Sequence, residues 1–140
     1  MIGIIITGHG NSASGMLSAV RILEGTPEKC TAVNYSLEDT SDDLEIALKK
    51  AVRELDDCSG ILFMTDISGG VPYKLACELT LKYGKEKKMA VTAGINLGMV
   101  MQTNMARAYV NDVDALAELA RDEGRRQVLM RTYGELADED

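Results

Sequence analysis

Two residues in this chain of 140 have the type and setting for group-transfer chemistry. His9, the sole histidine, stands in Thr7-Gly8-His9-Gly10, and Asp66 stands in Thr65-Asp66-Ile67-Ser68-Gly69-Gly70-Val71-Pro72. Each follows an unbroken apolar run, Ile2 to Thr7 and Gly60 to Thr65. A solitary histidine is by default an ordinary surface or core side chain, and polar residues mark sites only statistically. Here two reactive groups fall at strand ends, where open α/β sheets bind their ligands.

Several chemistries are excluded by spacing. No serine or cysteine nucleophile stands at a matching strand end, and Ser12, Ser14 and Ser68 lie outside any Gly-x-Ser-x-Gly elbow. Gly8, Gly10 and Gly15 miss the dinucleotide spacing, and the Walker A pattern is absent. What fits is covalent catalysis by the imidazole itself. Attack on phosphorus needs one ring nitrogen bare and outward, with the other protonated and held. A carboxylate accepting that N–H fixes the tautomer and stabilises positive charge on the ring, the role expected of Asp66. The transferred group carries negative charge on its equatorial oxygens. Backbone N–H groups of Gly10, Gly69, Gly70 and Val71, at the starts of the following helices, and the Ser68 hydroxyl are the candidate phosphate-binding groups. The mechanism requires no metal and no cofactor.

These loops need a scaffold. Ile2 to Thr7 reads as a central parallel strand, and Lys29 to Tyr35, Gly60 to Thr65 and Met89 to Ala93 read as three more. Between them lie helical patterns. Met16, Leu17, Val20 and Leu23 form one stripe, and Leu44, Ala47, Leu48, Ala51, Val52 and Leu55 a second that opens after Thr40. Leu75, Ala76, Leu79 and Tyr83 form a third, with Pro72 expected at its first position and Gly84 at its stop. A methionine-rich helix is expected from Leu97 to Tyr109, and a last one after an Asp112 cap. Repeated βαβ units imply a parallel sheet with right-handed crossovers. The fold class expected is α/β, a three-layer sandwich with a four-stranded parallel sheet of order 2-1-3-4. That order brings His9 and Asp66 to one switch-point crevice. Gln127 to Met130 is read as a short extra strand. Residues 1–134 are expected to form one domain, with an acidic tail over 135–140.

Composition agrees. Hydrophobic residues make up 46% and charged residues 26%, as in ordinary globular domains. A net charge of −7 argues against nucleic acid as a partner. Cys30, Cys58 and Cys77 are odd in number and lack metal-site spacing, so free buried thiols in a reducing compartment are expected. No basic leader precedes the first apolar run, and a cytoplasmic location follows as an expectation.

Gly8-His9-Gly10, Ala13 with Gly15, Asp66-x-x-Gly69-Gly70-x-Pro72, Gly94-Ile95-Asn96 and the Arg107 region resemble the enzyme IIA component of the mannose family of the bacterial sugar phosphotransferase system. Thr7 to Met16 is most similar to members for N-acetylgalactosamine or galactosamine. The resemblance implies that His9 accepts a phosphoryl group on Nε2 from the phosphocarrier HPr and passes it to the IIB component, with Asp66 on Nδ1. It also implies a homodimer that exchanges an antiparallel carboxyl-terminal strand, for which Gln127 to Met130 is the late candidate. Association with the membrane transporter would run only through partners. Many relatives carry Ser or Thr where this chain has Val71, and some carry an aromatic residue at the Ser68 position, so the side-chain part of the phosphate pocket departs from the pattern. Alternatives are a phosphocarrier module for dihydroxyacetone kinase and a phosphorylation-state sensor that regulates a partner.

Overall fold

The computed structural model describes residues 1–139. The elements run β1 (Ile2–His9), α1 (Ser12–Glu24), β2 (Cys30–Tyr35), α2 (Ser41–Glu54), β3 (Gly60–Thr65), α3 (Val71–Tyr83), β4 (Lys88–Thr92), α4 (Leu97–Ala106), α5 (Val113–Arg126) and α6 (Tyr133–Asp138). All strand pairs are parallel, as the βαβ pattern implies, and the order is β2-β1-β3-β4, the expected one.

The β-branched run in β1 has no polar face because both of its faces are covered. Ile2, Ile4 and Ile6 join Leu62 and Met64 beneath α1, α4 and α5, through Ala13, Leu17, Val20, Met99, Val100, Leu116 and Ala120. On the other face Ile5, Ile61 and Phe63 meet Leu44, Leu48 and Ala51 of α2 and Leu75, Ala76 and Leu79 of α3. Ile2, Ile4, Ile5 and Ile6 are completely buried, and each such side chain stabilises the fold by about 1.5–3 kcal/mol relative to exposure.

Local signals set the helix starts. Thr40 accepts from the Asp43 N–H at 3.1 Å and Asp43 accepts from the Thr40 N–H at 2.9 Å, a reciprocal cap for α2. Asn96 and Asp112 cap α4 and α5 by accepting from the Met99 and Ala115 N–H groups.

Five expectations change. Leu23 is 57% exposed, because α1 turns only Ala13, Leu17 and Val20 fully inward. Pro72 takes the second position of α3, which starts at Val71; this position also lacks an intrahelical acceptor, so the missing N–H costs nothing. Gln127 to Met130 forms no strand within the chain: α5 runs to Arg126, and Val128, Leu129 and Met130 follow it exposed, with no strand beside them to supply ladder bonds. The acidic tail is helical from Tyr133 to Asp138, because Thr132 accepts from the Glu135 N–H as an N-cap. Of the thiols only Cys58 is fully buried; Cys30 and Cys77 are partly so. Among the described residues no helix is long and apolar enough to cross a membrane.

Candidate active site

The register decides what meets what. Thr7 is level with Thr65, and β1 continues two residues further, so His9 overhangs the end of β3 where Asp66 begins the next loop. The sequence placed His9 just beyond its strand; the structure keeps it inside, level with Tyr35 of β2.

Asp66 Oδ2 accepts from both the backbone N–H and the ring Nδ1 of His9, each at 2.8 Å, and Oδ1 accepts from the Ile67 N–H at 2.9 Å. Burial works to raise the Asp66 pKa, yet the bonds from His9 and Ile67 outweigh it and hold the carboxyl below its usual range. An ionised carboxylate can only accept, so Nδ1 carries a proton, and in the neutral ring the lone pair is on Nε2. The imidazole is 45% exposed and the carboxylate 21%. The ring is therefore about half open to solvent while its orienter is more sheltered.

Glycines make this approach possible. A Cβ on Gly8 would lie 2.9 Å from Asp66 Cγ and also collide with the Ser12 hydroxyl, so only glycine lets the carboxylate reach across. A Cβ on Gly70 would lie 2.7 Å from His9 Cε1 and 3.5 Å from Nε2. Gly70 is thus a floor under the outward edge of the ring. Gly69 has φ 83° and Gly10 φ 59°, left-handed conformations that favour glycine and turn the chain into α3 and α1.

Neither N-cap residue caps its own helix with a side chain: Asn11 makes no such bond for α1, whose Ser14 N–H is taken by Asn34 Oδ1 instead, and Gly70 has no side chain to cap α3. The first N–H groups of α3, including that of Val71, have no carbonyl in their own helix, and both helix dipoles favour an anion here. Gly10 is committed, since its N–H donates to Tyr35 O at 2.7 Å. Ser68 is exposed and lines a groove of about 310 Å3 with Tyr73, Thr92, Ala93 and Arg121. Among the described residues no cluster of His, Cys, Asp and Glu is placed to hold a metal. A larger cavity of about 410 Å3, lined by Lys49, Arg53, Tyr83, Lys87 and Met89, lies at the opposite end of the sheet.

Sequence reasoning missed the end of β2. The Tyr35 ring meets the His9 ring edge to face, with centroids 5.8 Å apart at 63°. Asn34 Oδ1 accepts from the Ser14 N–H at 3.0 Å, and Asn34 Nδ2 donates to Ser14 Oγ at 2.8 Å. The available signal was positional: order 2-1-3-4 makes β2 the neighbour of the histidine strand, so its last residues must flank the loop.

The arrangement defines a doubly wound α/β protein with a histidine–carboxylate pair at its switch point. Comparison with known proteins then names the family. The model for the PTS system fructose IIA component matches residues 3–120. The chain is 29% identical over 127 residues to the PTS system mannose-specific EIIAB component of Escherichia coli, covering 91% of this chain and 38% of that protein. It is 25% identical over 119 residues to the PTS system fructose-specific EIIA component of Bacillus subtilis, covering 85% of this chain and 80% of that one. Among solved structures, phosphotransferase system component EIIA from Streptococcus agalactiae superposes with a TM-score of 0.86 at 32% identity, over 93% of this chain and 97% of that one. The mannose/sorbose-specific IIA subunit from Enterococcus faecalis shares the fold, with a TM-score of 0.83 at 24% identity over 93% and 94% of the two chains. The chain belongs to the mannose-type enzyme IIA family of the sugar phosphotransferase system, and is a transferase component of that system.

Proposed function

We propose that the chain is a phosphoryl carrier that accepts phosphate on His9 Nε2 from phospho-HPr and passes it to a IIB component during sugar uptake. The observation that carries this reading is the Nδ1 to Asp66 bond at 2.8 Å, which leaves Nε2 as the nucleophile on a half-exposed ring. As the nitrogen–phosphorus bond of the donor breaks, the lone pair of Nε2 forms the new bond. The Nδ1 proton stays on the ring, and the positive charge that results faces the ionised Asp66. The N–H groups of Val71 and Tyr73 at the start of α3 serve the equatorial oxygens in place of a hydroxyl at position 71; Pro72 between them has no N–H, and that of Lys74 is held by Gly70 O. Transfer to IIB reverses these steps, with the acceptor's nucleophile taking the phosphorus and the electron pair returning to Nε2.

Both carriers must reach the exposed ring, so we place HPr and IIB on the same crevice in turn. The site of action is the cytoplasm, with the membrane reached through partners. We also assign residues 1–134 to one domain, and we assign Gln127 to Met130, which forms no strand within the chain, to an antiparallel strand exchanged across a homodimer.

The test is incubation with enzyme I, HPr and labelled phosphoenolpyruvate. An acid-labile, alkali-stable label should appear on the wild type and vanish in His9→Ala. Asp66→Ala should slow labelling by about 10²-fold or more with little change in the KM for HPr, since it acts on ring tautomer and orientation. A wild type that takes no label ends the proposal.

A further inference from the structure

The imidazole of His9 has one hydrogen-bonded anchor, yet a histidine ring turns about a broad, roughly two-fold torsion. With 45% of the ring exposed, the bond to Asp66 and the Gly70 floor leave rotation to be limited by whatever else touches it. The third contact is Tyr35, edge to face at 5.8 Å.

Tyr35 is well placed to be rigid. It ends β2 level with His9, and its carbonyl takes the Gly10 N–H at 2.7 Å, which closes an isolated antiparallel bridge just beyond the parallel ladder. Its ring packs on the core beneath α2 and α3, with Val33 of the same strand beside it in that layer. Next to it, the paired Asn34 and Ser14 bonds tie the end of β2 to the first turn of α1, so the loop bearing His9 is fixed at both margins. A group held this firmly by strand, bridge and core is the kind of support that keeps a reacting atom in its productive geometry.

We propose that Tyr35 is a positioning residue: its aromatic ring, rather than its hydroxyl, keeps Nδ1 of His9 on Asp66 and Nε2 directed outward. The role rests on His9 being the phosphoryl acceptor, but the ring geometry it predicts exists before any phosphate arrives. Aromatic pairs in this arrangement favour one relative orientation, which removes the alternative ring rotamers that a single hydrogen bond permits.

Because His9 is the sole histidine, nitrogen NMR of the unphosphorylated protein reads one ring without overlap. Wild type should show a single tautomer with the proton on Nδ1. Tyr35→Ala should show averaged Nδ1 and Nε2 shifts, and in single-turnover transfer from phospho-HPr its rate should fall about tenfold at unchanged KM, as misplacement of a reacting atom predicts. Tyr35→Phe should restore the single tautomer and most of the rate. Tyr35→Leu keeps bulk without a flat ring and should resemble Tyr35→Ala, which separates ring positioning from a fold defect. The proposal is overturned if Tyr35→Ala keeps the wild-type tautomer and rate, if Tyr35→Phe is as impaired as Tyr35→Ala, or if the loss lies in KM alone. If wild type itself accepts no phosphate, the carrier reading fails, while the ring measurement still decides what Tyr35 does.

Discussion

At Asp66, three N–H donors converge on one carboxylate, and this sets how the site responds to acid. Its folded pKa lies below the ordinary 3.8, so it contributes stability that is fully present above that value and is lost as pH falls through the lower folded value. Denaturant unfolding of wild type and Asp66→Asn should therefore differ most at neutral pH, with the gap closing as pH drops below 3.8. A gap that stays constant to pH 2 would show that the carboxylate is not the group responsible. Cys30 moves the other way: burial pushes its thiol up to about 11 against the pull of Arg107 and Arg21, so it stays protonated at neutral pH. The paired glycines are also residue-scale determinants. Gly8 and Gly70 act through the side chain they lack, which a sequence shows only as the letter G.

At the scale of elements, the crossovers of α1 and α3 bring two helix starts to the same end of the sheet, of which α3 has no side-chain cap. The opposite end is held by Arg107, just past α4, which is 2% exposed. It donates to Ile2 O at 2.9 Å, to Lys29 O at 3.2 Å and to Glu28 O, and Asn104 Oδ1 accepts from its Nε at 3.1 Å. Lys29 has φ 48°, a left-handed conformation that costs about 1 kcal/mol for a residue with a side chain. One guanidinium thus joins the starts of β1 and β2 and holds that strained turn. Replacing it by Arg107→Leu leaves the buried Ile2 carbonyl without this donor and removes the ties to the Glu28 and Lys29 carbonyls, and should cost about 1–3 kcal/mol, measured as a shifted urea midpoint. The imidazole tautomer at His9 should be unchanged, because the two ends of the sheet do not share contacts. The resemblance included Arg107; the structure assigns it to scaffold.

For the whole molecule, the unresolved demand is the carboxyl-terminal arm. Val128, Leu129, Met130 and Tyr133 are 75–87% exposed, and Leu136 is 47% exposed. A run of apolar side chains this open has no partner among the described residues of its own chain, while β4 ends the sheet with one edge free. The homodimer reading predicts that light scattering of the intact chain gives twice its 15.2 kDa mass. A chain cut after Arg126 should be monomeric and less stable. A monomeric full-length protein at high micromolar concentration would rule out the exchanged strand.

Periodicity and punctuation in the sequence carried the elements, since a doubly covered β1 must be apolar throughout and a capped helix must announce its start. With right-handed crossovers they permitted the order 2-1-3-4 without fixing it, and the tertiary structure decided that order and with it the meeting of His9 and Asp66. The arm from Gln127 reads as a strand but pairs with nothing within the described residues of its own chain, because pairing is a property of two segments and nothing local says where the second lies. Tyr35 and the Gly70 floor were decided only by tertiary structure. Which ring faces a histidine depends on strand register and on the turn at Gly10, quantities that arise when distant segments pack rather than from any stretch read alone.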